Sequence, residues 1–178
     1  CQPTQVRPEV DQADVLSARA SAKALGQTLK GELVKAMQSE GPVLAVNVCN
    51  EKAPEIARSV SSEQGLEVGR TALKVRNPNN APDLWEAEQL RAFEVQLANG
   101  DDPASLEVSE IVETENGYAQ RWMKPIMMGD VCAVCHGGTI DPELDKVILS
   151  LYPEDQARGF QTGELRGAFT VTKYLEMH

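Results

Sequence analysis

The sequence predicts an α+β fold: an antiparallel sheet of about four strands with flanking helices and a long N-terminal helix. Helical spacing runs unbroken from Val10 to Ser39, period-two segments crowd the second half of the chain, and Glu115-Asn116-Gly117 offers a hairpin turn between two of them. Successive strands joined by short links pair antiparallel, and the helices are expected on one face of the sheet.

In chain order, Val15, Ala22, Leu25, Leu29, Leu33 and Met37 recur at helical steps, so residues 10–39 form an amphipathic helix that Gly41-Pro42 stops. Ala45, Cys49, Ala53, Ile56 and Val60 then share one helical face. Pro54 falls inside that pattern. Its missing N–H means that the helix either starts late, capped by Asn47 or Asn50, or kinks about one turn earlier. Cys49 sits at this irregularity. Val68–Val75 reads as a strand ending at the Asn- and Pro-rich loop 76–82. Asp83 caps a helix through Trp85, Leu90, Phe93 and Leu97 that stops at Asn99-Gly100. Leu106–Thr114 and Tyr118–Met127 form the hairpin, and the run Cys132-Ala133-Val134-Cys135-His136 follows in a loop. Leu144–Leu151 is a short helix and Gly167–Tyr174 a closing strand.

With 42% apolar and 25% charged residues over 178 positions, the chain suits one domain over residues 10–178 behind a polar tether over 1–9. A net charge of -10 repels phosphate backbones and anionic membranes, which speaks against nucleic acid as a partner. No apolar run approaches the roughly 20 residues of a membrane-spanning helix. Cys1 followed by Gln2-Pro3-Thr4-Gln5 looks like a lipid-bearing cysteine on a polar tether, so membrane contact is expected only through a lipid at Cys1.

Two thiols separated by two residues can each add to a vinyl group of the same haem, and the adjacent imidazole then falls on the iron. Cys132, Cys135 and His136 have that spacing. A thioredoxin-like pair would need a helix to continue past the second cysteine, which Gly137-Gly138-Thr139 prevents. A zinc site would need a second ligand pair, and only Cys1, Cys49 and His178 remain. One covalently bound haem c is therefore the expected cofactor. Its attachment chemistry puts the chain in the periplasm or an equivalent oxidising compartment.

The residues alone leave the sixth iron position open. Met37, Met123, Met127, Met128, Lys124, His178 and Cys49 all offer a donor. Cys49 is an unpaired thiol at a helix interruption with Lys52 near in sequence to favour thiolate, yet a free Cys also serves as a small buried hydrophobe.

The stretch Val48-Cys49-Asn50-Glu51-Lys52-Ala53-Pro54-Glu55-Ile56-Ala57, then Gly69-Arg70-Thr71-Ala72-Leu73-Lys74-Val75-Arg76-Asn77-Pro78-Asn79-Asn80-Ala81-Pro82 and Trp85-Glu86, resembles a bacterial and cyanobacterial family of PAS-like single-haem c domains. The resemblance spans nearly all of the chain from the first long helix to the last strand. It implies a PAS-like fold and a haem held between His136 and Cys49. Members occur alone or as extracytoplasmic sensor modules.

With that ligand set, the expected function is a redox or diatomic-gas (CO or NO) sensor. A thiolate opposite imidazole favours ferric iron, and its bond weakens on reduction or protonation. The signal would pass to a separate redox or signalling protein. The alternative is a low-potential electron carrier tethered through Cys1. An enzyme is not expected, since both axial positions are filled and only His178 remains for acid–base work. Arg70, Lys74, Arg76 and Arg121 are the expected propionate or pocket contacts. The long first helix would suit a homodimer.

Overall fold

In a computed structural model, residues 6–176 are described. Cys1, with its expected lipid, and His178, a candidate ligand, lie outside them. Helix α1 (Gln12–Ser39) opens at Asp11, whose carboxylate accepts the Ala13 N–H, and no proline interrupts it. Helix α2 (Pro42–Asn47) passes through a π turn, Val48–Lys52, into α3 (Ala53–Gln64), which Gly65 ends in the left-handed conformation at φ 64°. The continuous helix has a local cause. Pro54 cannot donate to Asn50 and its ring crowds the preceding turn; widening that turn, with Ala53 N–H reaching back to Val48 O, relieves both.

Four strands follow: β1 (Glu67–Thr71), β2 (Val108–Thr114), β3 (Gly117–Met127) and β4 (Leu165–Leu175), in the antiparallel order β1-β4-β3-β2. Thr114 pairs with Gly117, leaving Glu115-Asn116 as the hairpin turn. Trp122 and Val171 pair across β3 and β4 and pack with Val68 against Val15, Ala18 and Leu25 of α1 and Val60 of α3. One residue along each strand the side chains point the other way. There Met123 and Ala168 pack with Leu90 and Phe93 of α4 (Leu84–Ala98).

The helices therefore cover both faces of the sheet, not one as expected. Buried residues in β3 include two adjacent pairs, Ala119-Gln120 and Trp122-Met123, because a central strand sandwiched on two sides loses the in–out alternation that a one-sided sheet would show. Asp83 caps α4 as expected and does so in a full capping box with Glu86. The segment before α1 is fastened to the sheet: the Gln120 amide accepts the Asp11 N–H and donates to the Asp11 carbonyl, both at 2.9 Å, and the Arg7 guanidinium donates to Ile111 O.

Strand β1 stops at Thr71, short of the predicted Val75. A Cβ on Gly167 would lie 2.5 Å from Thr71 O, so the two strands are pressed together where they part. Residues 72–76 then peel away from the sheet toward the Cys132–His136 segment, where Val75 O accepts the Gln156 N–H at 2.9 Å.

Candidate haem site

The Cys132–His136 run is helical, at the end of α5 (Asp130–His136), where a loop was expected. The helix stops where the glycines begin. A Cβ at position 137 would stand 2.4 Å from Ala133 O, so glycine is the residue that lets the chain turn there. After α6 (Pro142–Leu151), residues 155–160 return as a strap across the motif: Gly159 N–H donates to Gly137 O and Phe160 N–H to His136 O, each at 3.0 Å.

Cys132, Cys135 and His136 line one cavity together with Cys49 from the π turn. Its walls are largely apolar, with Leu29, Leu33 and Met37 from α1, Val46 from α2 and Ile126 from β3. Among the described residues no three His, Cys, Asp or Glu side chains converge to hold a bare metal ion, and Cys49, Cys132 and Cys135 are free thiols.

Burial first, then the charges of Arg166 and Arg76, hold His136 neutral, with its pKa lowered to about 3. Its Nδ1–H donates to the Ala157 carbonyl at 2.9 Å, which fixes the tautomer and leaves Nε2 as the basic nitrogen. Burial pushes the Cys49 thiol up; Arg70, Arg76 and Arg166 oppose that without reversing it. Lys52, expected to favour the thiolate, instead pairs with Glu32 at 3.2 Å on the exposed side of the helix. The π turn explains the error, since widening the helix separates residues that sequence spacing places together.

The expected pocket cations divide. Arg70 lines the cavity and, among the described residues, has no hydrogen-bond or ion-pair partner. Arg76 also lines it but is committed to Asp155 and to the Cys135 and Ala157 carbonyls. Lys74 donates to Arg158 O at 2.7 Å and stacks over Phe160. Arg121 lies on the opposite face of the sheet, paired with Asp83 and Glu86 and stacked on Trp85, and does not line this cavity. Of the candidate sixth ligands, Met123 is buried against α4, Met128 packs with Ala157 and Phe160 beside Cys132 without lining the cavity, and Lys124 is tied to the Ala104 and Leu106 carbonyls. Met37 shares the cavity with Cys49.

Two cavity residues were not foreseen. Arg166, at the start of β4, has its pKa lowered to about 10, by loss of solvent first and then by Arg76 and Arg70, so it is a half-buried cation facing other cations. Tyr152, at the end of α6, is neutral, with burial first and then the nearby Cys49 raising its pKa to about 12. A strand start and a helix end carry no periodicity that would have marked either one.

These residues fit a haem. The two thiols and the neutral imidazole have the attachment spacing, the walls are apolar, and Arg70 and Arg166 bring positive charge that no carboxylate in the cavity matches. Fold and site together define an α+β protein with a thiol–thiol–imidazole constellation lining a largely apolar cavity. The family model described as Tll0287-like matches residues 4–173, and the chain belongs to that family. Among solved structures it is similar to that of the cyanobacterial heme-protein Tll0287, at 23% sequence identity and a TM-score of 0.69, covering 95% of this chain and 99% of that one. No curated protein matches the chain.

Proposed function

We propose that this chain is a monohaem c-type cytochrome, a redox or diatomic-gas sensor of the periplasm. Cys132 and Cys135 form the thioether links and His136 and Cys49 are the axial ligands. The observation that carries this reading is the shared cavity: a neutral imidazole with only Nε2 free, both motif thiols, and a thiol from another part of the chain. The similar cyanobacterial protein is a heme-protein by description, which supports the cofactor. The PAS-like description of the fold belongs to this same reading, as does a signalling or redox partner.

A bound haem would supply a one-electron centre and a coordination site. The chain's part is to hold that centre and to offer a ligand that can leave. Cys49 suits the second task because burial favours its protonated form, so a proton arriving at sulfur on reduction would find a stable place. Arg70 and Arg166 would hold the propionates. Covalent attachment to the two thiols requires an export-side maturation system, which is the ground for the periplasmic part of the reading.

The test is the optical and EPR spectrum of the oxidised protein beside Cys49→Ala, with a pyridine haemochrome assay for thioether attachment. Loss of a low-spin thiolate signature in the variant supports the reading; an unchanged spectrum refutes Cys49 as ligand. A specific observation favours one other reading. Met37 shares the cavity, and a His136/Met37 pair would give a ligand set that survives reduction, hence an electron carrier.

A further inference from the structure

Arg76 is the most heavily bonded side chain near the motif. Its Nε donates to Asp155 Oδ1 and its Nη2 to Asp155 Oδ2, both at 3.0 Å, and Nη2 also reaches the carbonyls of Cys135 at 2.6 Å and Ala157 at 3.1 Å. Both partners are out of water: the Arg76 side chain is 9% exposed and that of Asp155 0%. The Ala157 carbonyl is the atom that accepts the His136 Nδ1–H. One oxygen thus receives an imidazole N–H and a guanidinium N–H together.

We propose that Arg76 and Asp155 form an opposed charge pair that sets the donor strength of His136 through the Ala157 carbonyl. This rests on the haem reading and goes beyond it. A carbonyl oxygen already engaged by a cation is a weaker acceptor, so it draws less on the imidazole N–H and leaves the ring less anionic. A less anionic ring favours the reduced iron. Asp155 works in the other direction, because it neutralises Arg76 and takes up its hydrogen-bonding capacity. Arg158 also pairs with Asp155 at 3.0 Å but keeps Asp145 at 2.6 Å, so losing the Asp155 carboxylate leaves Arg76 as the uncompensated cation. Arg76 and Asp155 are positioning residues here, acting through a backbone oxygen at the ligand's outer nitrogen.

The pair makes a signed prediction that a merely structural role does not. In the haem-loaded full chain, Arg76→Gln should lower the midpoint potential and Asp155→Asn should raise it, each by about a tenfold change in the ferric-to-ferrous ratio at fixed potential, which is 59 mV for one electron. The double variant should return close to the wild type, and Arg76→Lys, keeping the charge but losing the fork, should shift down less than Arg76→Gln. Spectroelectrochemistry reads the potential; the haemochrome assay and low-spin EPR signal show that attachment and ligation are intact. Shifts of the same sign in both single variants, or none in either, overturn the proposal. Should Arg76→Gln fail to mature, Arg76→Lys against Asp155→Asn must still show opposite signs. Wild-type protein lacking covalent haem would instead overturn the haem reading.

Discussion

Replacing Met123 separates two roles that a methionine near a haem motif can play. The side chain is 0% exposed and packs among Leu90, Phe93, Leu106 and Ala168 on the α4 side of the sheet, on the face opposite Trp122. Truncation to alanine removes three heavy atoms beyond Cβ, about 2.5 kcal/mol of transfer free energy. The wall cannot fully collapse, because its lining belongs to a helix and to central strands held by the sheet, so a cavity contribution brings the loss to about 3–4 kcal/mol. For a domain of this size that is a fall in Tm of about 6–16 °C. Met123→Leu keeps the volume and should cost less than about 1.5 kcal/mol. Urea unfolding followed by fluorescence measures the stability, and the absorption spectrum of the oxidised holoprotein reports the iron ligands. The reasoning requires a destabilised Met123→Ala whose spectrum at low temperature matches the wild type. A high-spin spectrum in folded Met123→Leu would refute it by showing that sulfur at this position reaches the iron.

Other predictions address the site. Gly137→Ala should displace the strap or the last turn of α5, since its Cβ would meet Ala133 O at 2.4 Å; the expected result is a loss of roughly 1–3 kcal/mol in urea unfolding, with a lower yield of covalent haem. Arg70→Gln and Arg166→Gln should each lower the midpoint potential, because a cation facing the cavity favours the more negative, reduced centre; redox titration showing no change in either would remove them as propionate partners. Asp155 carries the pH dependence. Burial raises its pKa, but the Arg76 fork, the Ala157 N–H and the Arg158 charge outweigh this and hold it below the usual carboxylate value. A depressed folded pKa stabilises the protein above the unfolded value, roughly 3.9, and that stability is lost as the pH falls through the folded value. Acid unfolding of Asp155→Asn should therefore show a shallower loss of stability below about pH 4 than the wild type.

What was legible in the sequence was local. The cap at Asp83, the Glu115-Asn116 turn and the unbroken repeat of α1 depend on residues a few positions apart, and each formed as expected. The Cys132–His136 spacing is local as well. The features that escaped depend on which distant segments meet. Arg166 and Tyr152 reach the cavity only because β4 and α6 pack there. Arg121 goes to the far face because β3 alternates and α4 lies on that side, a layer that one-sided patterning did not anticipate. Lys52 misled for a related reason, since a π turn forced by Pro54 changes which residues share a face.

The Gln120 clamp gives the fold a load path. A pull on the segment ahead of α1 is carried by the paired amide bonds at Asp11 into the central strand β3, and by Arg7 on Ile111 into its edge neighbour β2. Gln120 belongs to β3, the strand whose next element is the helix bearing Cys132, Cys135 and His136. Tension on that segment would thus arrive in part as shear along the strand that leads into the motif. The segment ahead of α1 and the helix bearing Cys132, Cys135 and His136 therefore meet in one strand.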